Sequence, residues 1–375
     1  MSSGSVKTAV RTGSAMALGA AITWVGRAAW GLPVAMGAPP SALRRVTESS
    51  PHFEDGKFVN SERSPVITAL DGASIVRAWL GRDERGRPAG AVPLVSPGAA
   101  PDVAAALAAT WYGHASVLVE VDGQRVLLDP VWGDRVSPSP TVGPRRLHPP
   151  PVSIEDLPPV DAVLISHDHY DHLDLPTVRS LLRTQTAPFV VPLGVGAHLR
   201  RWDVPVGRII ELDWGQHADV ADLRLTCTEA RHFSGRGLTR DNTLWASWVI
   251  RGPQNRVYFG GDTGYTAGFA DIGRQHGPFG LTVLPIGAYG AQWPHIHMNP
   301  EEAVRAHGDL GGDVLLPIHW ATFDLAFHAW AEPVQRLCVA AAEAGVALAL
   351  PRPGERISNA DAPPTKDWWT ALAQP

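Results

Sequence analysis

An α/β layered fold is what this chain of 375 residues predicts, on three observations. Strand-length apolar runs alternate with amphipathic helix-length segments, the pattern of sheets covered by helices. Two of the runs flank Asp122-Gly123, a strong hairpin signal. Four others are followed at once, or within a few residues, by His167, His232, Asp262 and His319. If those strands are neighbours, their carboxyl ends converge on one cleft, where open α/β sheets gather their sites.

Taken in order, residues 1–40 stand apart. Lys7 and Arg11 precede an apolar stretch over 15–26, Arg27 interrupts it, and 28–38 continues it. A basic start, an apolar middle and small residues near Gly37-Ala38 resemble a secretory signal or signal-anchor. The other two readings are an interfacial membrane helix and an ordinary helix packed on the domain. The uninterrupted run is shorter than the roughly 20 residues of a confident spanning helix. The first two readings place the protein at the membrane or cell envelope; the third leaves it cytoplasmic. Residues 41–108 read as a lead-in packing on the core, with a helix-like piece near 67–80 and a Gly/Pro-rich loop over 81–101. The main domain is expected over 109–355, and 356–375 as a C-terminal tail.

Within that domain, 115–121 and 125–128 are the two hairpin strands. A Pro-rich loop over 137–151 holds Arg145 and Arg146. Residues 160–166 read as a buried strand, and 175–183 as a helix with Pro176 in its first turn, where proline is tolerated. Shorter units follow: a strand at 189–191, a helix at 196–202 and a strand at 208–212. Strands are expected at 222–229, 244–250, 256–260, 281–286 and 314–318. Helices at 300–307 and 333–344 complete the layers.

Composition narrows the function classes. Charged residues make up 18% and the formal net charge is -5, with a sequence pI near 6.3, which disfavours a generic nucleic-acid binder. Two cysteines, Cys227 and Cys338, exclude a disulfide framework and read as buried reduced thiols. Most of the 14 tryptophans belong to the core, while Trp245, Trp248, Trp293 and Trp320 are near enough to the His and Asp positions to line an apolar substrate pocket.

The chemistry concentrates in His167-Asp168-His169-Tyr170-Asp171-His172. Imidazole nitrogen and carboxylate oxygen are the ligands of catalytic zinc sites, which keep one position open for water. Zinc there lowers the pKa of bound water from about 15.7 to about 7. A turn of solvated histidines is the plainer reading, but the rest of the chain supplies further ligand types at strand ends. A metal-dependent hydrolase is therefore expected.

The motifs resemble the metallo-β-lactamase superfamily, and within it the N-acyl-phosphatidylethanolamine-hydrolysing phospholipase D family. They are Thr110-Trp111-Tyr112-Gly113-His114-Ala115-Ser116, the run from His167 to Asp174, Arg231-His232-Phe233, Gly261-Asp262-Thr263-Gly264-Tyr265, Leu284-Pro285-Ile286-Gly287-Ala288-Tyr289, His297-Met298-Asn299-Pro300-Glu301-Glu302-Ala303, and Ile318-His319-Trp320. The resemblance covers about residues 50 to 340 and implies an αββα four-layer sandwich with a dinuclear site at one sheet edge. It implies that His167, His169 and His232 hold one Zn2+, that Asp171, His172 and His319 hold the other, and that Asp262 bridges both. A bridging hydroxide is then the nucleophile. Nitrogen and oxygen donors favour zinc, and iron or manganese accept the same set.

Other residues carry weaker expectations. His297 is expected to bind a phosphate oxygen or protonate a leaving group, with a plain loop histidine as the alternative. The family pattern has an acidic residue where Asn299 stands. His114 resembles a residue that orients a ligand, and packing explains it equally well. Tyr289, Trp320 and Arg145 are substrate-contact candidates, Arg145 because guanidinium pairs bidentately with phosphate. The expected activity is phosphodiester hydrolysis of phospholipase D type on an N-acyl phosphatidylethanolamine-like phospholipid. The alternatives are a β-lactam, lactone or other ester hydrolase, and a non-catalytic metal-binding envelope protein. The expected partners are a small-molecule or phospholipid substrate, a membrane surface and, by resemblance, a second copy in a homodimer.

Overall fold

The computed structural model describes residues 23–63, 84–98, 101–237, 239–358 and 367–373. The helix-like piece expected over 67–80, and most of the apolar stretch over 15–26, lie outside them. Residues 23–29 are helical, followed by α1 (Leu32–Ala35) and α2 (Pro40–Thr47). This stretch is tied to the domain by hydrogen bonds from Trp202 Nε1 to Val34 O (2.7 Å), from Arg236 Nη2 to Ala35 O (2.9 Å) and from Ala38 N to His198 Nδ1 (2.9 Å). Residues 34–38 therefore behave as a packed segment. Among the described residues no helix is long and apolar enough to cross a membrane. A short hairpin, β1 (Phe53–Glu54) and β2 (Lys57–Phe58), leads into the main domain.

Two seven-stranded sheets make up that domain. The first contains β3 (Leu107–Gly113), β4 (Ser116–Val121), β5 (Gln124–Leu128), β6 (Ala162–Leu164), β7 (Phe189–Pro192), β8 (Ile209–Leu212) and β16 (Arg356–Ser358), in the order β16-β3-β4-β5-β6-β7-β8. The second contains β9 (His217–Val220), β10 (Leu223–Thr228), β11 (Ser247–Arg251), β12 (Arg256–Phe259), β13 (Phe279–Pro285), β14 (Gly312–Ile318) and β15 (Ala347–Leu348), in the order β15-β14-β13-β12-β11-β10-β9. The β4–β5 hairpin closes around Asp122 and Gly123 with Val121 opposite Gln124, both turn residues at positive φ. That is the turn geometry the Asp-Gly pair favours.

Alternation sorts the first sheet's side chains. Val117, Val119, Val121, Val126, Leu128, Leu164 and Val190 face the second sheet, where Leu225, Cys227, Trp248, Ile250 and Phe259 meet them. Leu118, Leu127, Val163, Phe189 and Val191 point the other way, onto Leu175, Val178 and Leu181 of α3 (Leu175–Thr184) and Val195 and Leu199 of α4 (Val195–Arg201). The second sheet is covered by α5 (Gly268–His276), α6 (Pro300–Leu310) and α7 (Glu332–Ala344). Period-2 apolar residues on both faces make the sheets middle layers, and the expected αββα sandwich results. Each fully buried aliphatic or aromatic side chain contributes about 1.5–3 kcal/mol.

Some expectations need correction. Residues from 356 onward are not a tail throughout: β16 pairs with β3, and Trp369 is buried beside Trp320. Cys227 is buried in the inter-sheet core, but Cys338 on α7 is only half-buried; both are free thiols. The strand β3 and the helix α5 were not legible. β3 is buried on both faces and so shows no alternation, and α5 carries Gly268 and Gly273, which weaken helix propensity.

Candidate metal centre

Strand direction builds the site. β3, β5 and β6 run the same way in the first sheet, as do β10, β12, β13 and β14 in the second. Their carboxyl ends deliver His114, Asp129, the run from His167 to His172, His232, Asp262 and His319 to one edge. Gly261 makes the Asp262 position feasible. It sits at φ 57°, and a Cβ there would lie 2.5 Å from Ser166 Cβ. Only glycine takes up both demands at low cost.

Ligand atoms of His167, His169 and His232 lie within 4.8 Å of one another, and those of His114, Asp171, His172 and His319 form a second such group. Asp262 stands between them. Its Oδ2 is 3.1 Å from His172 Nε2 and 3.1 Å from His319 Nε2, and 3.9 Å and 3.8 Å from Nε2 of His167 and His232. Asp171 Oδ2 lies 3.3 Å from His319 Nε2 and 2.9 Å from His114 Nε2. Thus all seven residues expected as ligands share one cluster, five of them buried and His169 and Asp171 half-buried.

The cluster's electrostatics fit a pair of cations. His172 Nε2, His319 Nε2 and Asp262 Oδ1 are buried without a hydrogen-bond partner. Burial opposes charge on Asp262 and Asp171, yet the surrounding imidazoles, His172 foremost, hold both carboxyls well below the usual range. Burial also opposes a proton on His319, but Asp262 and Asp171 outweigh it and push its pKa up to about 9. Converging carboxylates thus demand positive charge at the points where divalent cations would satisfy both oxygen and nitrogen lone pairs.

Neighbouring groups fix the ligands' orientation, as metal-ligating histidines generally require. Asp129 Oδ2 lies 2.7 Å from His172 Nδ1 and accepts from Ser166 Oγ at 2.5 Å, and that hydroxyl lies 2.9 Å from His167 Nδ1. His232 Nδ1 is 2.9 Å from Ile296 O. Asn60, from the lead-in, donates to His232 O at 2.8 Å and accepts from His232 N at 3.2 Å. Neither Asp129 nor Asn60 was singled out from the sequence. The signal for Asp129 was its place at the carboxyl end of a strand beside β6; for Asn60 there was none. His114 does contact a candidate ligand, Asp171, and its ring lies 4.1 Å from that of His319.

A cleft of about 400 Å³ opens over the cluster, lined by His169, Asp171, Asp262, His297 and His319 and by apolar Val136, Phe233, Trp293, Ile296 and Leu325, with Tyr170, Arg240 and Ala288 completing it. His297 Nδ1 is 3.9 Å from Asp262 Oδ2, and burial pushes the His297 pKa down to about 4. The other substrate-contact candidates are elsewhere. Arg145 is exposed and paired with Asp134 at 3.0 Å. Tyr289 gives its hydroxyl to Glu332 at 2.6 Å. Trp320 is buried in a tryptophan cluster, 5.5 Å from Trp111 and 5.3 Å from Trp368. Trp245 and Trp248 are core residues with bonded indole N–H groups. Of the four tryptophans considered, Trp293 is the one lining the cleft.

The Beta-lactamase superfamily domain matches residues 124–320, more than half of the chain. The chain belongs to the metallo-β-lactamase superfamily. An uncharacterized Mycobacterium tuberculosis protein is 54% identical over 370 residues, 97% of this chain and 99% of that one. The N-acyl-phosphatidylethanolamine-hydrolyzing phospholipase D 1 of Caenorhabditis elegans is 40% identical over 232 residues, 58% of this chain and 65% of that one. Among solved structures, Igni18, a metallo hydrolase from the archaeon Ignicoccus hospitalis, superposes with a TM-score of 0.53 at 25% identity, covering 67% of this chain and 97% of that one. With this superfamily's fold and a converging His/Asp set, the chain is a metal-dependent hydrolase.

Proposed function

We propose that this superfamily member is a dinuclear zinc phosphodiesterase of phospholipase D type, acting on N-acyl phosphatidylethanolamine-like phospholipids. The observation that carries the reading is the position of Asp262 Oδ2 between the two ligand groups. It supports His167, His169 and His232 around one ion, Asp171, His172 and His319 around the other, and Asp262 shared. The chemistry such a pair supplies when bound is Lewis-acid polarisation of the scissile group and activation of water. The chain's own groups do the rest. Asp129 and His114 hold candidate ligand side chains in one orientation, and Asn60 fixes the backbone of His232. His297 faces the cleft, placed to meet a phosphoryl oxygen or pass a proton to the leaving group. Trp293, Phe233 and Leu325 offer apolar walls to an acylated substrate.

The substrate class draws support from the similarity to the Caenorhabditis elegans phospholipase D and to a yeast relative named for the same reaction, 32% identical over 238 residues. Exposed Trp24, Val25 and Trp30 support contact with a membrane surface, since tryptophan favours the bilayer interface. The test is a product assay on zinc-loaded protein. N-acyl phosphatidylethanolamine vesicles, an aryl phosphodiester, a lactone and a chromogenic β-lactam are presented in parallel, with His167→Ala as control. Release of phosphatidic acid that the control abolishes is the expected result. Turnover of the β-lactam or lactone alone would overturn the substrate assignment while leaving the hydrolase intact.

A further inference from the structure

Arg240 is a cation on the metal cleft that no carboxylate meets in a salt bridge among the described residues; its charge reaches Asp241 through space, without a bond between them. It lines the same cleft as Asp262, His297 and His319. Its guanidinium carbon lies 4.2 Å from the centre of the Phe233 ring. That ring in turn stands edge-on to His169 at 4.5 Å, so the charge sits one aromatic ring away from a candidate ligand. Its Nε and one terminal nitrogen, Nη2, are buried without a hydrogen-bond partner. A cation–π contact balances part of the charge but leaves those N–H donors unsatisfied. Leaving a buried charged donor unpaired is costly.

The described residues on either side of Arg240 are tied down by hydrogen bonds. Asp241 N donates to Ser234 O at 3.0 Å, and Ser234 Oγ donates to Thr243 O at 2.7 Å. Phe58 N donates to Asp241 O at 2.8 Å, tying the loop to the lead-in hairpin. Gly235 N donates to Asp168 Oδ1 at 2.8 Å, and Arg236 Nη1 donates to Asp168 O at 2.6 Å and Leu173 O at 2.7 Å. The adjacent carboxylate, Asp241, accepts from Ser234 N at 3.4 Å. The loop is thus anchored to the motif that supplies His167 and His169, and it presents Arg240 toward the cleft.

We infer that Arg240 is a substrate-binding residue that recognises the anionic phosphoryl group of the phosphodiester, through its planar fork of N–H donors. This rests on the phosphodiesterase reading above. It replaces Arg145 as the guanidinium that meets the substrate's charge. Specificity follows from it, because a neutral ester or lactone brings no oxygen anion to the fork.

The experiment uses the full-length, metal-loaded chain with Arg240→Gln and Arg240→Lys. Inorganic phosphate binding is followed by calorimetry, and kinetics are measured on an aryl phosphodiester and on a neutral aryl ester. Metal content is checked in each variant. Arg240→Gln is expected to weaken phosphate binding and raise KM for the phosphodiester by about 10- to 100-fold, with metal content and neutral-ester kinetics unchanged. Arg240→Lys is expected to recover part of the loss, since it restores charge without the fork. Equal phosphate affinity in wild type and Arg240→Gln would overturn the proposal. So would an equal loss on the neutral ester, which marks a purely structural role. Should the wild type hydrolyse no phosphodiester, the functional reading falls, and the phosphate calorimetry then decides Arg240 by itself.

Discussion

At the residue scale, the candidate ligand types were legible because metal-site chemistry restricts them to a few side chains, and a six-residue run supplied five of those. Residues that act through a ligand were harder to see. Asp129 looks like a strand terminator in sequence, yet its carboxylate is 2.7 Å from His172 Nδ1 and accepts two bonds from Ser166. Removing such a partner typically costs 10–100-fold in metal affinity. Asp129→Ala is therefore expected to weaken metal binding by about that factor in competition with a chromogenic chelator, while far-UV circular dichroism is unchanged. Undiminished affinity would show that His172 needs no such partner. Asn299 shows the reverse case. Its departure from the family's acidic residue is neutral for the helix, because it caps α6 by accepting from Glu302 N at 2.9 Å, and Glu302 completes a capping box. Asn and Asp serve equally there.

At the element scale, most helices and strands were legible, several strands as buried apolar runs, while β3, which carries Ala108, Ala109 and Gly113, and the glycine-weakened α5 were not. The covering helix α6 carries a testable consequence of burial. His307 on its inner face is 3% exposed and 2.7 Å from Thr282 Oγ1 of β13. Burial pushes its pKa down to about 4. The unfolded chain, with a histidine near about 6.5, binds more protons than the folded one below that value. The stability of a neutral His307 is therefore fully present above the unfolded pKa and is lost as pH falls toward and through about 4. Thermal unfolding between neutral pH and pH 4 is expected to show a shallower decline in His307→Gln than in the wild type. Parallel curves for the two proteins would mean that His307 does not stay neutral in the fold.

At the scale of the whole molecule, the ligand groups come from both sheets. His167, His169, Asp171 and His172 follow β6 of the first; His232, Asp262 and His319 follow β10, β12 and β14 of the second. Metal ions held by this candidate set would staple the two halves of the sandwich. A ligand that binds only the folded state at a hundred times its Kd adds about 2.7 kcal/mol, which raises Tm by about 5 °C or more in a domain of this class. Chelation is expected to lower Tm by that order in the wild type and to leave Asp262→Ala almost unmoved, as read by differential scanning fluorimetry. An equal drop in both would assign the metals' stabilising effect to a site that does not involve Asp262.

The layered α/β class, the hairpin at Asp122-Gly123 and the candidate ligand residues can be read from the chain alone, because they depend on local periodicity, turn conformation and donor chemistry. Which polar groups face those residues emerges only once the chain is folded. Asn60 lies 172 positions before His232 and still brackets its backbone. Arg145 and Arg240 are equally charged in sequence, yet one is paired on the surface with Asp134 and the other lines the cleft with two buried unpartnered donors. The physical reason is that hydrogen-bond pairing and desolvation are long-range in sequence. They are set by packing between layers, which no local pattern encodes.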